Sequence, residues 1–564
     1  MSRFLETVAS EVPGVDDYPA LYRWSVEEPA AFWRSLWRYY EPTCSQKATS
    51  TLEIEAGEMR GARWFPGARL NFAENLLRHR DDRPALVWWG EEGRGGDLSY
   101  RELYGQVARM ACVFADFGVV PGDRVAGFLP NRPETVVAML AAASLGAVWS
   151  SCSPDFGTQG VLDRFGQIRP KILLAADGYR FGGKSFDSLA KVREVRSAIP
   201  EIERLVIVPN LAADPELAAN ELLWPDLLEA AVEAPEIPFA QLPFDHPLYI
   251  MYSSGTTGLP KCMVHGAGGT LLQHVKELML HTDLQRGDRI FYFTTCGWMM
   301  WNWLVSSLAV GATVVLYDGS PLKPDAGILF DMAAAERLSV FGCSAKYLAL
   351  IEKEGLRPAE GRDLSSLRAV LSTGSPLLPE NYDYVYREIG DDLQLSSISG
   401  GTDLISCFAL GNPIAPVYRG ELQTLGLGMK VEIFDGDGQP RGAGEAGELV
   451  CTAPFPSMPV AFWDDPEGEK YRRAYFDVFP GVWRHGDWAE ITERGGLVIH
   501  GRSDATLNPG GVRIGTAEIY RQVERVDEVV ESLVIGQSYG DDVRIVLFVR
   551  LREGLELDDA LRDR

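Results

Sequence analysis

No two of the eight cysteines, at positions 44, 112, 152, 262, 296, 343, 407 and 451, form a C-x-x-C pair. That spacing argues against a zinc knuckle or a disulfide framework and points to reduced thiols in a cytoplasm. Positive charge is also short. With 54 Lys and Arg against 79 Asp and Glu, the chain carries a formal net charge of −25. A surface of that sign repels phosphate backbones, so general nucleic-acid binding is disfavoured. The N-terminus has Arg3 but then Glu6 and Glu11, with no apolar block behind the charge, so no secretory signal is read. There is no internal repeat and no low-complexity tract. One stretch, Trp298 to Tyr317, is about as long and apolar as a membrane span. It holds Asn302, Ser306, Ser307, Gly311 and Thr313, and Gly311-Ala312-Thr313 reads as a break between a buried helix and a strand, Val314 to Tyr317.

What the chain does have is an ordinary globular composition, 46% hydrophobic and 24% charged, over 564 residues. That length is enough for about three or four folding units, or one large unit with an appendage. Apolar runs at Arg124 to Leu129, Leu205 to Val208, Leu248 to Tyr252, Thr313 to Tyr317 and Arg368 to Leu371 alternate with helical segments. Pro133-Glu134 opens one of these helices, over Thr135 to Leu145, with proline where its missing N–H does least harm. Continuous rather than alternating hydrophobic strands predict an α/β fold whose sheets are covered by helices on both faces. From about Gly420 short strands joined by Gly and Pro turns predict a small antiparallel or barrel-like subdomain: Lys430 to Phe434, Gly447 to Cys451 and Gly496 to His500. Beyond Gly501, Glu531 to Gly536 and Asp542 to Leu551 predict a further small α+β unit, entered through Ser503-Asp504.

Chemistry first shows in Tyr252-Ser253-Ser254-Gly255-Thr256-Thr257-Gly258-Leu259-Pro260-Lys261, directly after a strand. Glycines for close backbone approach, four hydroxyl side chains and a terminal lysine are the parts needed to surround a polyphosphate. A Walker loop needs Gly-Lys-Ser/Thr, whereas here Leu259-Pro260 precede Lys261 and Cys262 follows. Taken alone such a loop reads equally as a flexible Ser/Thr/Gly hairpin, and only the full order of residues argues for phosphate.

That order resembles the adenylate-forming superfamily of acyl-CoA synthetases, adenylation domains and luciferases, and the resemblance runs through essentially the whole chain. Ser399-Gly400-Gly401-Thr402-Asp403 stands where the family has a Thr-Glu pair. Trp483-Arg484-His485-Gly486-Asp487-Trp488 resembles its Gly-Asp segment, and Gly501-Arg502-Ser503-Asp504 with Gly510-Gly511-Val512-Arg513 its hinge region. Near the N-terminus Trp24-Ser25-Val26, Phe32-Trp33, Trp64-Phe65-Pro66-Gly67-Ala68 and Leu70 to Asn75 are similar to the acetyl-, propionyl- and acetoacetyl-CoA synthetase group, with several details nearest to acetoacetyl-CoA synthetases.

The resemblance implies a large adenylate-forming N-terminal domain over 1–502, made of two α/β subdomains and a small β-barrel-like one, with a group-specific segment at about 18–75. A small, apparently incomplete α+β swivelling domain over 503–564 would follow. It implies two half-reactions. A carboxylate attacks the α-phosphorus of ATP, giving acyl-adenylate and pyrophosphate, and the thiol of coenzyme A then displaces AMP. Ser253, Ser254, Gly255, Thr256, Thr257, Gly258 and Lys261 would enclose phosphates. Thr402 would donate to an α-phosphate oxygen and Asp403 would hold magnesium, the shorter Asp in place of the usual Glu implying a more water-bridged geometry. Gly374, Ser375, Pro376 and Gly401 would lie along the nucleotide, Asp487 would accept from the ribose diol, and Arg502 and Arg513 would approach ribose or phosphate. Each of these is otherwise an ordinary turn or loop residue.

For the acid, Trp298, Met299, Met300, Thr373 and Gly400 would form the pocket. Acetyl-CoA synthetases carry a tryptophan at the position of Gly400, so its loss implies room for a four-carbon or somewhat larger acid, acetoacetate first and propionate or butyrate as rivals. The same aromatic and methionine cluster could be plain core. Arg180, Gly183 and Lys184 would meet the coenzyme A nucleotide, unless they form only a solvated loop, and Asp504 would be the hinge. The family's C-terminal lysine, which touches the forming adenylate and is where an acyltransferase or deacylase regulator would act, has no counterpart after Asp504. A shortened chain is the expectation, and a nucleotide-binding protein without turnover is the competing reading. An amino-acid adenylation domain is less well matched, since no pocket aspartate for an α-amino group and no carrier-protein module is found. Partners are therefore expected to be small molecules, with no nucleic acid and no membrane span.

Overall fold

The computed structural model describes all residues except 55–57, 232–235, 254–258, 504–506, 508–515, 524–525, 540–541 and 564. Two large sheets dominate. The first has eight strands in the order Glu221–Leu223, Arg204–Val208, Ile172–Ala176, Arg124–Phe128, Val148–Cys152, Pro247–Ser253, Lys261–Gly266 and Ala461–Phe462. Its pairings are parallel up to Pro247–Ser253 and antiparallel beyond. The second has seven, Gln394–Ser397, Ala369–Thr373, Val340–Ser344, Arg289–Tyr292, Thr313–Asp318, Pro84–Gly90 and Gly93–Ser99, parallel except for the last.

Central strands such as Ile172–Ala176 and Thr313–Asp318 are buried almost throughout, as continuous apolar runs require when helices cover both faces. The helix Pro133–Ser144 is buried at every position but Glu134. An all-round apolar helix is stable only when enclosed, and it lies between the strands Arg124–Phe128 and Val148–Cys152 and the helices Phe72–Leu76 and Tyr100–Asp116. The helix Tyr100–Asp116 begins with a capping box in which Ser99 and Glu102 satisfy each other's backbone N–H groups. Trp298 to Tyr317 folds as the helix Met299–Val305, one 3₁₀ segment, and the strand Thr313–Asp318. Among the described residues no helix is long and apolar enough to cross a membrane.

Two smaller sheets sit beside these. Ser399–Gly401, Ser406–Leu410 and Thr424–Leu425 form one, and the expected β-rich subdomain is the antiparallel sheet Val431–Phe434, Gly447–Cys451, Trp483–Ile491, Leu497–Arg502. The small C-terminal domain contains the helix Thr516–Val523 and the long hairpin Val529–Tyr539 with Asp542–Leu551.

The N-terminal helices Tyr18–Glu27 and Pro29–Tyr40 bury Phe32, Trp33 and Leu36 completely. They also hold a distant turn. Tyr18 Oη donates to Leu425 O at 2.6 Å, Tyr22 Oη to Met429 O at 3.0 Å, and the Gly428 N–H donates to Ser25 Oγ at 2.9 Å.

Candidate active site

The carboxyl ends of parallel strands are where an open α/β sheet leaves a crevice, and the strands Ala369–Thr373 and Gln394–Ser397 end at a cavity of about 360 Å³. Its other walls are the start of helix Met299–Val305, the strand Ser399–Gly401 with the turn after it, and the strands Trp483–Ile491 and Leu497–Arg502. Residues separated by some 200 positions therefore converge. Trp298, Met299, Met300, Thr373, Gly374, Ser375, Pro376, Gly400, Gly401, Thr402, Asp403, Asp487 and Arg502 all line it.

Each wall has a local cause. Gly374 takes φ +92°, a conformation that favours glycine, and turns the chain away from the strand end. Thr373 is fixed by donating from Oγ1 to Ile398 O at 2.8 Å. Asp487 and Arg502 are register partners on adjacent strands. Arg502 Nη1 lies 3.2 Å from Asp487 Oδ1 and donates to His485 O at 3.2 Å. Gly486, between His485 and Asp487, has φ +86°, a conformation that favours glycine, and a Cβ there would meet Arg502 Nη2 at 2.5 Å. His485 is buried, with Nε2 3.6 Å from Asp487 Oδ2. The acid and the cation at this end thus face each other across the cavity wall.

At Thr402-Asp403 the backbone is held from beneath. His265, fully buried in the strand Lys261–Gly266, donates from Nε2 to Thr402 O at 2.9 Å. Burial pushes its pKa down to about 4, so the ring is neutral and can serve as that donor. Asp403 Oδ1 accepts from the hydroxyl of Tyr475. Tyr475 is buried and stacked on Trp483, ring centroids 3.7 Å apart at 10°, and the ammonium of Lys261 lies 5.5 Å from the centre of its ring. Burial first, and the Asp403 carboxylate second, hold the Tyr475 hydroxyl well above its ordinary pKa, so it stays a proton donor.

Gly400 is placed at the cavity, and the strand beside it supplies a reason for glycine besides the expected acyl space. A Cβ at 400 would lie 2.2 Å from Ser406 O and 2.3 Å from Cys407 Cα, inside the paired strand. The residue is glycine because two backbones approach closely there. A side chain at this position would first have to displace that strand.

Ser253 and Lys261 face each other in register at the two ends of the phosphate-type loop. Ser254, Gly255, Thr256, Thr257 and Gly258 lie outside the described residues, as do Asp504 and Arg513. Arg180, Gly183 and Lys184 do not join the cavity. They sit on the hairpin Gly178–Phe181 with Lys184–Asp187, where the N–H groups of Gly182 and Gly183 donate to the Glu91 carboxylate at 2.6 and 2.7 Å and Arg180 lies 3.5 Å from Glu92. Two acidic residues therefore offset much of the expected cationic patch. Sequence reasoning assigned no role to Ser397, Ile398, Ser406, Leu422, His485, Ile499 or Tyr475. Only His485 stood inside a quoted motif; the others arrive through pairing that no local pattern announces.

Comparison with known proteins agrees with this geometry. Residues 72–458 match the AMP-binding enzyme family, and residues 18–76 match the acetyl-coenzyme A synthetase N-terminus. An acetoacetyl-coenzyme A synthetase of Rhizobium meliloti is 56% identical over 547 residues, covering 97% of this chain and 83% of that protein. The acetoacetyl-CoA synthetase of Gallus gallus is 47% identical, covering 98% and 84%. The solved acetoacetyl-CoA synthetase from Streptomyces lividans superposes with a TM-score of 0.93 at 47% identity, over 100% of this chain and 86% of that one. The chain belongs to the AMP-binding enzyme family, as an AMP-forming acid–thiol ligase of the group that contains the acetoacetyl-CoA synthetases.

Proposed function

We propose that the chain ligates acetoacetate to coenzyme A through acetoacetyl-adenylate, releasing pyrophosphate and then AMP. The observation that carries this reading is the division of the one cavity. Thr402, Asp403, Asp487 and Arg502 gather polar and charged groups on part of its wall, and Trp298, Met299, Met300 and Thr373 supply a mostly apolar remainder. A nucleotide phosphate and a short acid can then meet at one point, which is what an adenylate requires. The names and identities of the relatives support acetoacetate as the acid.

In this reading Thr402 donates to an α-phosphate oxygen as the acid's carboxylate attacks, and pyrophosphate leaves with its negative charge facing Lys261 and Ser253 together with Ser254, Gly255, Thr256, Thr257 and Gly258. Gly374, Ser375, Pro376 and Gly401 border the nucleotide. Asp487 accepts from the ribose hydroxyls, for which Arg502 must turn from the carboxylate towards phosphate; Arg513 adds a second cation. Met299 and Met300 adapt their unbranched side chains to the acyl group. Asp403 is the carboxylate fitted to magnesium: Oδ1 is taken by Tyr475, leaving Oδ2, on the Gly401 side, for an ion otherwise held by phosphates and water. When bound, that ion would neutralise phosphate charge.

For the thioester step we assign the coenzyme A nucleotide to the hairpin bearing Arg180, Gly183 and Lys184, the hinge to Asp504, and the division between large and small domains to residues 502 and 503. Eight cysteines without disulfide partners fit a reducing cytoplasm. Pyrophosphate release measured across straight-chain and β-keto acids of about two to six carbons tests the substrate. Acetoacetate is expected to give the highest kcat/KM, with acetate lower by about ten- to two-hundredfold, the range available to steric selection. Equal values for acetate and acetoacetate would reject it in favour of a broader short-acid ligase, and no pyrophosphate with any acid would favour a binding protein.

A further inference from the structure

Resting on the reading of Asp403 as the carboxylate that meets magnesium, we infer that Tyr475 is a positioning residue for it: its hydroxyl fixes one carboxylate oxygen so that the other is presented to the nucleotide's phosphates and their cation. Five observations converge. Asp403 is one methylene shorter than glutamate and sits in a turn, after Gly401, whose backbone is set by Leu404 N–H to Gly401 O and Ile405 N–H to Thr402 O. A short carboxylate in a turn still rotates about its own side-chain bonds, and without a second anchor both oxygens would be free to face away. Tyr475 Oη supplies that anchor on Oδ1, while Oδ2 lies on the Gly401 side.

The tyrosine itself cannot wander. It ends the helix Glu469–Tyr475, is buried, lies flat on Trp483, and meets Phe462 and Tyr471 edge-on at 5.9 and 5.6 Å. Among the described residues its hydroxyl also meets Met263 Sδ at 3.5 Å, a weak acceptor that does not compete with a carboxylate. Tyr475 also ties Asp403 to the phosphate-type loop, because the Lys261 ammonium that closes that loop rests over its ring face. One rigid aromatic group thus sets the spacing between the cation and the carboxylate that face the same phosphates. Hydroxyl removal leaves the stacking intact, which separates positioning from packing.

The experiment is calorimetric titration of the chain with ATP, once in excess magnesium and once in EDTA, for the unaltered protein, Tyr475→Phe, Asp403→Ala and the double variant, with thermal unfolding of each. Tyr475→Phe is expected to weaken ATP binding about three- to tenfold in magnesium, the value of one ordinary hydrogen bond, and to leave the EDTA titration unchanged. In the Asp403→Ala background the same change should have no further effect, since a group acting only through Asp403 has nothing left to position. Equal weakening with and without magnesium, or an undiminished effect of Tyr475→Phe when Asp403 is absent, would make Tyr475 a packing or direct nucleotide contact and overturn the inference. Magnesium-dependent binding untouched by Tyr475→Phe would overturn it alone, whereas failure of the unaltered chain to bind ATP would bring down the functional reading and the inference together.

Discussion

Gly400 shows how a single missing side chain can have two causes. Read along the sequence it marks an emptied pocket, but in three dimensions it is where the strand Ser399–Gly401 runs against Ser406 and Cys407. Gly400→Ala should therefore cost about 1–3 kcal/mol of stability, the usual scale of overpacking, and lower turnover of acetate and acetoacetate by the same factor. Denaturant titration with steady-state kinetics on both acids checks this, and a loss confined to acetoacetate would restore the steric reading. His265 carries a second residue-scale consequence. Its pKa falls from 6.5 to about 4 on burial, so as pH drops the unfolded chain takes up the proton before the folded one does. Stability from this group is complete above about pH 6.5 and declines as pH falls towards about 4. Between about pH 7 and about pH 5 the decline amounts to about 2 kcal/mol. His265→Gln removes the titrating ring, so the stability gap between the two proteins should narrow by that amount over the same interval, as read by urea unfolding at each pH.

At the scale of elements, the N-terminal helices act on the site at one remove. Tyr18, Tyr22 and Ser25 hold the turn Leu425 to Met429, which follows the strand Thr424–Leu425; that strand pairs with Ser406–Leu410, and Ser406–Leu410 with Ser399–Gly401 in the cavity wall. Tyr18→Phe leaves the buried Leu425 carbonyl without that donor and should destabilise by about 1–3 kcal/mol. A parallel rise in the KM for ATP would show that the turn's order reaches the site, and an unchanged KM would confine the segment to stability. How much of this could be read beforehand follows from the range of the signal. Strands such as Arg204–Val208 and Pro247–Ser253, and helices such as Pro133–Ser144, are visible because apolar runs and proline at the first turn are local. The motifs around Thr402 and Asp487 are visible because chemistry crowds several unusual residues into a few positions. Tyr475 and Ser397 carry no such mark, since their role arises from partners 72 residues away in one case and from a strand end in the other. The same holds for Glu91, whose grip on Gly182 and Gly183 depends on bringing separate segments together.

Over the whole molecule, the two domains meet differently from the subdomains within the large one. The large domain is joined through buried apolar clusters that run across both sheets. The small domain sets its helix Thr516–Val523 against the strand Leu497–Arg502, and meets the helix Ala345–Lys353 and its end through contacts that include polar ones: Lys346 Nζ with Glu531 Oε1 at 2.7 Å, Lys353 Nζ with Val529 O at 3.1 Å, and Arg552 Nη1 with Glu354 Oε1 at 3.5 Å. The Lys346 and Glu531 side chains remain largely in water, where ion pairs contribute little and salt screens them. Raising sodium chloride to about 0.5 M should therefore speed proteolytic cleavage between the domains several-fold while leaving the unfolding of the large domain unchanged; cleavage insensitive to salt would show that apolar contacts hold the small domain. The hold of Tyr18 on Leu425 has a consequence of another kind, in the order of manufacture. The two are 407 residues apart, and at about 5–20 residues per second a ribosome needs roughly 20–80 seconds to make the second after the first. Throughout that interval Phe32 and Trp33, fully enclosed in the finished molecule, lack the part of their cover that the turn at Gly428 supplies. The helices Tyr18–Glu27 and Pro29–Tyr40 are therefore among the last parts of the large domain that can be completed, and a nascent chain stalled before Leu425 leaves part of their apolar surface open to whatever chaperone meets it first.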